Sequence, residues 1–157
     1  MKITLTGHKG FIGSHYYDYI KDQYDAVYTY DKKNGDIENL NDPSVSLSAP
    51  DCDVVVHLAA TNGTKLFYQT PTDVCINNTL PTVNLVQRYR DTNTKFVFAS
   101  TCEIFNGAID EGYYPVPTDE QVPVMFNNIT NPRWSYSVPK ALGENLVANC
   151  GLEYLII

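Results

Sequence analysis

Apolar and polar positions alternate along this chain in blocks that have the periods of strands and helices in turn. Short apolar or β-branched runs predict strands at 2–6, 26–31, 53–60, 95–100 and 153–157. The run at 53–60 is almost continuously apolar, which is typical of a strand covered on both faces of a sheet. Apolar residues at helical spacing predict helices at 10–22, 72–90 and 135–149.

Strands that alternate with helices favour a parallel sheet with right-handed crossovers and helices on both faces. We therefore expect an α/β doubly wound (Rossmann) sheet with strand order 3-2-1-4-5-6, formed by residues 1–157 as one dinucleotide-binding domain. A short extended piece at 35–37 supplies the third strand of that order. The Pro-rich loop at 107–132 is longer than a connector requires, so we expect it to act as a lid.

Composition excludes several other classes of protein. The formal net charge is −7, which disfavours binding to nucleic acid because that needs a basic surface. The four cysteines are far apart and show no metal-ligand spacing, so we expect no metal site, no disulfide framework and a reducing, cytoplasmic setting. The chain shows neither a charged-then-apolar leader nor a long apolar run, so we expect no membrane association.

Glycines recur every third residue immediately after the first predicted strand, at Gly7, Gly10 and Gly13. A glycine permits a tight turn, a second lets a pyrophosphate approach the backbone, and a third lets the helix pack on the strand. The start of the following helix then offers free N–H groups and the positive end of its dipole. This context, strand then turn then helix, indicates a dinucleotide site rather than an ordinary turn.

Asp31 lies at the end of the second predicted strand, at the spacing from the glycine turn where an acid binds the adenosine ribose. A carboxylate there accepts hydrogen bonds from the ribose 2′-hydroxyl and repels a 2′-phosphate, so NAD is favoured over NADP. Lys32 and Lys33 follow it and weaken that preference.

Tyr136 and Lys140 are four residues apart in the last predicted helix and therefore share one of its faces. A tyrosine is a poor acid or base at neutral pH because its pKa is about 10, but a nearby ammonium favours the phenolate. We expect Lys140 to lower the pKa of Tyr136 in this way. Thr101 follows the strand at 95–100, at the sheet edge where ligands bind, and its hydroxyl can donate to a substrate oxygen.

Together these motifs resemble the extended short-chain dehydrogenase/reductase family of nucleotide-sugar epimerases, dehydratases and decarboxylases. The segments that carry the resemblance follow the family's order along the whole chain: 6–13, Asp31, 35–37, 57–60, 77–78, 100–103 and 136–140. The segment at 131–140 is most similar to the UDP-glucuronate decarboxylase-like and related epimerase branches.

The resemblance implies NAD as the cofactor, a nucleotide sugar as the substrate class and a set of site residues. The cofactor-binding residues it implies are Gly7, Lys9, Gly10, Phe11, Ile12, Gly13, Asp31, Lys32, Asp36, Ile37, Leu58, Ala59, Ala60, Asn78, Ser100, Tyr136 and Lys140. The catalytic residues it implies are Thr101, Tyr136 and Lys140, with Glu103 as a further acid/base candidate or, alternatively, a supporting carboxylate. Cys102 stands where the dehydratases have an aspartate, which disfavours dehydration.

Family members continue past the strand at 153–157 into a domain that binds the sugar nucleotide, and we expect that domain to be absent here. Three interpretations stay open: an NAD-dependent sugar-nucleotide oxidoreductase or epimerase that is minimal or assembles its site with another chain, a non-catalytic NAD-binding module, and a fragment of a longer enzyme. The resemblance also implies a homo-oligomer, as a dimer formed through the helices at 72–90 and 135–149.

Overall fold

The computed structural model of the chain describes residues 1–32 and 39–157. The predicted strand at 35–37, with Asp36 and Ile37 as adenine-binding residues, lies outside that description. The strands described are β1 (Lys2–Thr6), β2 (Ala26–Tyr30), β3 (Val54–His57), β4 (Lys95–Phe98) and β5 (Tyr154–Ile156). The helices described are α1 (Phe11–Ile20), α2 (Pro43–Leu47), α3 (Thr64–Gln69), α4 (Pro71–Tyr89), α5 (Asn106–Asp110) and α6 (Trp134–Asn149), with a 3₁₀ helix at Cys102–Phe105.

All neighbouring strands of the sheet are parallel, in the order β2-β1-β3-β4-β5. This is the predicted order for the five predicted strands that fall within the described residues, so the doubly wound fold class is confirmed. β1 pairs with both β2 and β3, which places the chain reversal beside the end of β1. In such sheets the reversal opens a crevice at the carboxyl edge, where ligands bind.

Successive residues of the strands point to opposite faces of the sheet and pack into two apolar cores, one on each face. Val55 packs with Leu85 and Phe96 on the face covered by α4 and α6. Val56 packs with Ile3 and Ile20 on the face covered by α1. The apolar run at β3 is therefore buried on both faces as predicted, because helices cover both sides of a parallel sheet.

Three short helices were not predicted from the pattern: α2, α3 and α5. Each has only five or six residues, too few for a helical period to show. A local signal did exist for α2, because Asp42 caps it by accepting the Ser44 N–H at 2.8 Å and Pro43 occupies its first turn. The prediction of one helix from residue 72 was incomplete, since α3 precedes α4 with only Thr70 between them.

The loop predicted at 107–132 begins later, because α5 occupies its first residues. Backbone hydrogen bonds fix the loop at Met125 to the 3₁₀ helix and α5. The Gly107 N–H donates to the Met125 carbonyl at 3.1 Å, and the Met125 N–H donates to the Ile104 carbonyl at 3.2 Å. A Cβ on Gly107 would lie 2.1 Å from the Met125 oxygen, so this anchoring requires glycine.

Among the helices of the described residues, none combines the length and apolar character needed to cross a membrane.

Candidate cofactor and active site

The glycine turn after β1 is built so that two of its three glycines are required by packing. Gly7 has φ +75°, and a Cβ there would lie 2.8 Å from the Ala59 backbone. A Cβ on Gly13 would lie 2.1 Å from the Gly7 carbonyl oxygen. These two glycines let α1 and the residues after β3 approach the turn closely, as predicted for the first and third positions.

Gly10 differs, because neither its backbone nor its surroundings require glycine. It is the N-cap of α1 with φ −76° and ψ 172°, an extended conformation that any residue adopts. A Cβ there would meet only the Gly7 oxygen, at 3.2 Å. Within the described residues no side chain caps the first N–H groups of α1, and the neighbouring Phe11 and Ile12 are 84% and 68% exposed. The missing side chain thus leaves the helix N-terminus open to a ligand.

The acid predicted to bind a ribose is buried against this turn. Asp31 is 7% exposed, and its Oδ2 accepts the Lys9 N–H at 2.9 Å. Lys32 extends from the same strand end to donate from Nζ to Thr61 Oγ1 at 2.7 Å. Glycine turn, acid and lysine therefore meet at the carboxyl edge of β1 and β2.

A cavity of about 160 Å³ lies between these groups and the segment after β3. The predicted residues that line it are Gly7, Gly10, Asp31, Lys32, Leu58, Ala59 and Ala60. The lining residues that were not predicted to bind the cofactor are Tyr30, Asn39, Leu40, Asn41, Thr61, Asn77 and Pro81. The cavity thus brings together predicted residues from three separate segments of the chain.

Asn78 fixes the part of the cavity wall at Thr61 through hydrogen bonds of its side-chain amide. Its Oδ1 accepts the Thr61 N–H at 2.9 Å, and its Nδ2 donates to the Thr61 carbonyl at 3.0 Å and the Val74 carbonyl at 2.7 Å. A second buried network holds the same loop: Thr6 Oγ1 accepts the Ala59 N–H at 3.0 Å and is hydrogen-bonded to His57 Nδ1. Complete burial lowers the pKa of His57 to about 3, so the imidazole is neutral.

The predicted catalytic residues converge where β4 ends against α6. Tyr136 and Lys140 lie on one face of α6 and are 8% and 3% exposed, respectively. Lys140 Nζ lies 5.9 Å from the centre of the Tyr136 ring and donates to the Ala99 carbonyl at 2.6 Å. Thr101 caps the 3₁₀ helix by accepting the Glu103 N–H at 3.2 Å.

The structure contradicts the prediction that Lys140 lowers the pKa of Tyr136. Burial of the phenol raises its pKa, and the Glu103 charge raises it further, while hydrogen bonding with the Thr101 side chain partly offsets the rise. Burial also lowers the pKa of Lys140 to about 8, so its ammonium is itself less stable than in water. The Lys140 ammonium is engaged with a backbone carbonyl instead of the phenol.

Glu103 is held by two neighbours. Its Oε2 accepts from Asn106 Nδ2 at 2.8 Å and lies 3.7 Å from an Arg133 nitrogen. Arg133 also reaches Asp110 at 3.4 Å, so it ties the 3₁₀ helix and α5 to the start of α6. This arrangement fits the supporting role that the sequence leaves open for Glu103.

Two residues that contact the predicted catalytic and cofactor residues were also missed by the sequence analysis. The Phe67 ring of α3 stacks on Tyr136 with centroids 5.3 Å apart and planes 13° apart. The Ser100 hydroxyl donates to the Glu144 carboxylate on α6. For Glu144 a signal existed, since it lies four residues beyond Lys140 on the same helical face. Phe67 gave none, because α3 is too short to be detected.

A second cavity, of about 850 Å³, opens beside Thr101. Its polar lining includes Ser100, Thr101 and Glu144, and its apolar lining includes Val122 and Ile156. It lies between the carboxyl ends of β4 and β5 and the loop that follows α5. A small molecule bound there would contact the Thr101 hydroxyl.

Solved structures with this fold include epimerases of UDP-sugars. A UDP-galactose 4-epimerase shares 27% identity and a TM-score of 0.80, over 99% of this chain and 54% of that one. The UDP-glucose 4-epimerase of Thermus thermophilus, solved with NAD, shares 25% identity and a TM-score of 0.75, with the same coverages of 99% and 54%.

Sequence comparison gives the same family. A UDP-N-acetyl-alpha-D-glucosaminuronate decarboxylase of Bacillus cytotoxicus is 29% identical over 170 residues, which cover 98% of this chain and 51% of that protein. The chain therefore spans about half the length of the curated relatives it matches. A model of the NAD dependent epimerase/dehydratase family matches residues 3–157. The chain belongs to the NAD dependent epimerase/dehydratase family, as the motifs predicted, and NAD is that family's cofactor.

Proposed function

We propose that residues 1–157 form one dinucleotide-binding domain, which holds NAD(H) at the carboxyl edge of the sheet and serves a reaction on a nucleotide sugar. The observation that carries the proposal is Gly10. Residue 10 has an extended backbone that any residue adopts, yet it carries no side chain, and no described side chain caps the N-terminus of α1 beside it. A pyrophosphate is the ligand that such a backbone surface suits, because free N–H groups and the helix dipole both favour an anion.

The remaining residues fit the rest of the dinucleotide. Gly7, Gly10 and Gly13 would hold the pyrophosphate, Asp31 the adenosine ribose, and Lys140 the nicotinamide ribose. Leu58 to Ala60 would line the cleft between them, as they line the cavity in the structure. Because Asp31 is a carboxylate at the ribose position, NAD is favoured over NADP.

The catalytic proposal assigns a proton to Tyr136. Its phenol is protonated at neutral pH, since burial raises its pKa, and so it begins as the acid of an acid–base pair. Thr101 would orient the substrate oxygen from the 850 Å³ cavity. Bound NAD supplies a hydride acceptor and donor at this point.

Calorimetry with NAD and NADP tests the binding half of the proposal. We expect NAD to bind more tightly, and Asp31→Ala to weaken NAD and reduce the discrimination. Tighter binding of NADP by the wild type would refute the preference, and binding of neither would refute the cofactor assignment.

A hydride-transfer assay with a panel of UDP- and dTDP-sugars tests the catalytic half. Tyr136→Phe keeps the ring against Phe67 but removes the proton, so it should leave NAD affinity unchanged and eliminate turnover. Equal activity of the wild type and Tyr136→Phe would reject Tyr136 as the acid. NAD binding with no turnover, alone or with a partner chain, would favour the binding-module interpretation.

We also propose that the chain forms a homodimer through α4 and α6. These helices pack on each other within the chain, and each carries exposed apolar residues: Ile76 and Leu80 on α4, and Leu142 on α6. Sedimentation at tens of micromolar should give a dimer, and Leu80→Glu should give a monomer. A monomeric wild type would contradict the interface.

A further inference from the structure

The three residues after β4 are fixed to their neighbours at consecutive positions. The Ala99 carbonyl accepts from Lys140 Nζ at 2.6 Å. The Ser100 hydroxyl donates to the Glu144 carboxylate, and the Ser100 N–H donates to the Ile157 carbonyl at 2.7 Å. The next residue in the chain is Thr101. Its position is therefore set by the hydrogen bonds of the two residues before it.

Glu144 contributes to this arrangement through geometry. Tyr136, Lys140 and Glu144 lie four residues apart and share one face of α6. Burial is the cause of the lowered pKa of Lys140. The Glu144 carboxylate accepts a hydrogen bond from the Ser100 hydroxyl.

We propose that Glu144 is a positioning residue, which holds Ser100 and, through the adjoining peptide, keeps the Thr101 hydroxyl beside the Tyr136 phenol. The functional meaning of this role rests on the proposed acid–base set. The hydrogen bond from the Glu103 N–H to Thr101 Oγ1 fixes the threonine from its other side. Loss of the Glu144 contact would leave Thr101 restrained from that side and by the Ser100 backbone only.

The phenol of Tyr136 reports on this arrangement because its charged neighbours stay in place when Glu144 is changed. Glu103 and Cys102 act on it from the 3₁₀ helix and raise its pKa, and Thr101 lowers it. Lys140 lies on the same helix, and Phe67 stacks on the ring from α3. If Thr101 moves away, its favourable contact with the phenolate is lost and the pKa of Tyr136 rises.

The experiment measures the ionisation of Tyr136 in protein labelled with 3-fluorotyrosine, whose phenols ionise at lower pH than those of tyrosine. The ¹⁹F resonance of Tyr136 is identified, among the 12 tyrosines, by its absence from Tyr136→Phe. The variants are Glu144→Ala, Ser100→Ala, Glu144→Gln and the double alanine variant. Glu153→Ala is the matched control, because Glu153 pairs only with the exposed Lys95 among its described contacts.

We expect Glu144→Ala and Ser100→Ala each to raise the Tyr136 pKa by about half a pH unit, the size of one modest hydrogen bond. The double variant should raise the Tyr136 pKa no further than either single variant, since both changes remove the same hydrogen bond. Glu144→Gln should stay near the wild type because its amide oxygen still accepts. Glu153→Ala should leave the pKa unchanged.

An unchanged Tyr136 pKa in folded Glu144→Ala or Ser100→Ala overturns the proposal. So does a Glu144→Gln variant that behaves like Glu144→Ala, because the effect would then come from charge. Should Glu144→Ala fail to fold, Ser100→Ala decides, since it removes only a hydroxyl. The titration needs no cofactor, so a protein that fails to bind NAD refutes the proposed function and leaves this result standing.

Discussion

Replacing Gly10 by valine separates the cofactor site from the fold. The backbone at residue 10 is already extended, and a Cβ there meets a single oxygen at 3.2 Å. We therefore expect Gly10→Val to lower the free energy of unfolding by only about 1 kcal/mol, the usual cost of an unfavourable N-cap residue. The added methyl groups, however, occupy the space above the first N–H groups of α1.

The loss of cofactor affinity should be much larger. A hydrogen bond from a backbone N–H to a charged phosphate oxygen contributes about 1.5–3 kcal/mol. Blocking two of them costs about 3–6 kcal/mol, and each 1.4 kcal/mol is about tenfold in Kd. Calorimetry should therefore show NAD affinity at least about 100-fold weaker in Gly10→Val, while urea unfolding shows a protein nearly as stable as the wild type.

Gly112→Ala is the matched control for this variant. Gly112 has φ +74° with no atom within 4 Å of its Cβ position, so alanine there costs about 1–2 kcal/mol through backbone strain alone. It should lose similar stability and bind NAD normally. The reasoning is refuted if Gly10→Val binds NAD as the wild type does, or if it loses far more stability than Gly112→Ala.

Three further predictions concern stability. His57 is neutral in the folded protein and has an ordinary pKa of about 6.5 when unfolded, so the free energy of unfolding decreases as the pH falls below 6.5. Urea unfolding should show a decrease of about 2 kcal/mol from pH 6.5 to 5, and His57→Gln should abolish this dependence on pH. Gly143→Ala places a Cβ 2.4 Å from the buried Phe98 ring and should cost about 1–3 kcal/mol in urea unfolding, and an unchanged midpoint would contradict the packing. Because the pKa of Lys140 is lowered to about 8, the free energy of unfolding of the wild type should rise by about 2 kcal/mol from pH 8 to 9.5 relative to that of Lys140→Met. Parallel pH curves for the two proteins would contradict the burial of an ammonium at this position.

The sequence predicted the features of the fold that are long or strictly periodic. The apolar run of β3 and the amphipathic spacing of α4 and α6 can only be satisfied by a sheet covered on both sides. The short helices α2, α3 and α5 were missed because one turn of helix carries no period. Their positions depend on tertiary contacts, such as the stack of Phe67 on Tyr136.

The proximity of the candidate site residues could be predicted from the sequence, and their electrostatics could not. Thr101, Tyr136 and Lys140 converge because parallel strands end at one edge and because residues four apart share a helical face. The direction of the Tyr136 pKa shift depends on how deeply the phenol is buried and on where the Lys140 ammonium points. Neither quantity can be read from spacing, and both reverse the expectation drawn from the lysine alone.

The burial of Lys140 carries a functional implication of its own. Lowering its pKa from 10.5 to about 8 means that the folded protein holds this ammonium at a cost of about 3 kcal/mol. The cost is fully present below pH 8, where both folded and unfolded chains are protonated, and it is relieved as the pH rises from 8 towards 10.5. The hydrogen bond to the Ala99 carbonyl and the Phe98 ring, whose centre lies 4.8 Å from Nζ, stabilise this ammonium only in part, since the pKa of Lys140 remains lowered. A destabilising charge placed beside Tyr136 and Thr101 is typical of a site that is organised for a reaction, since perturbed ionisable groups concentrate where catalysis needs them.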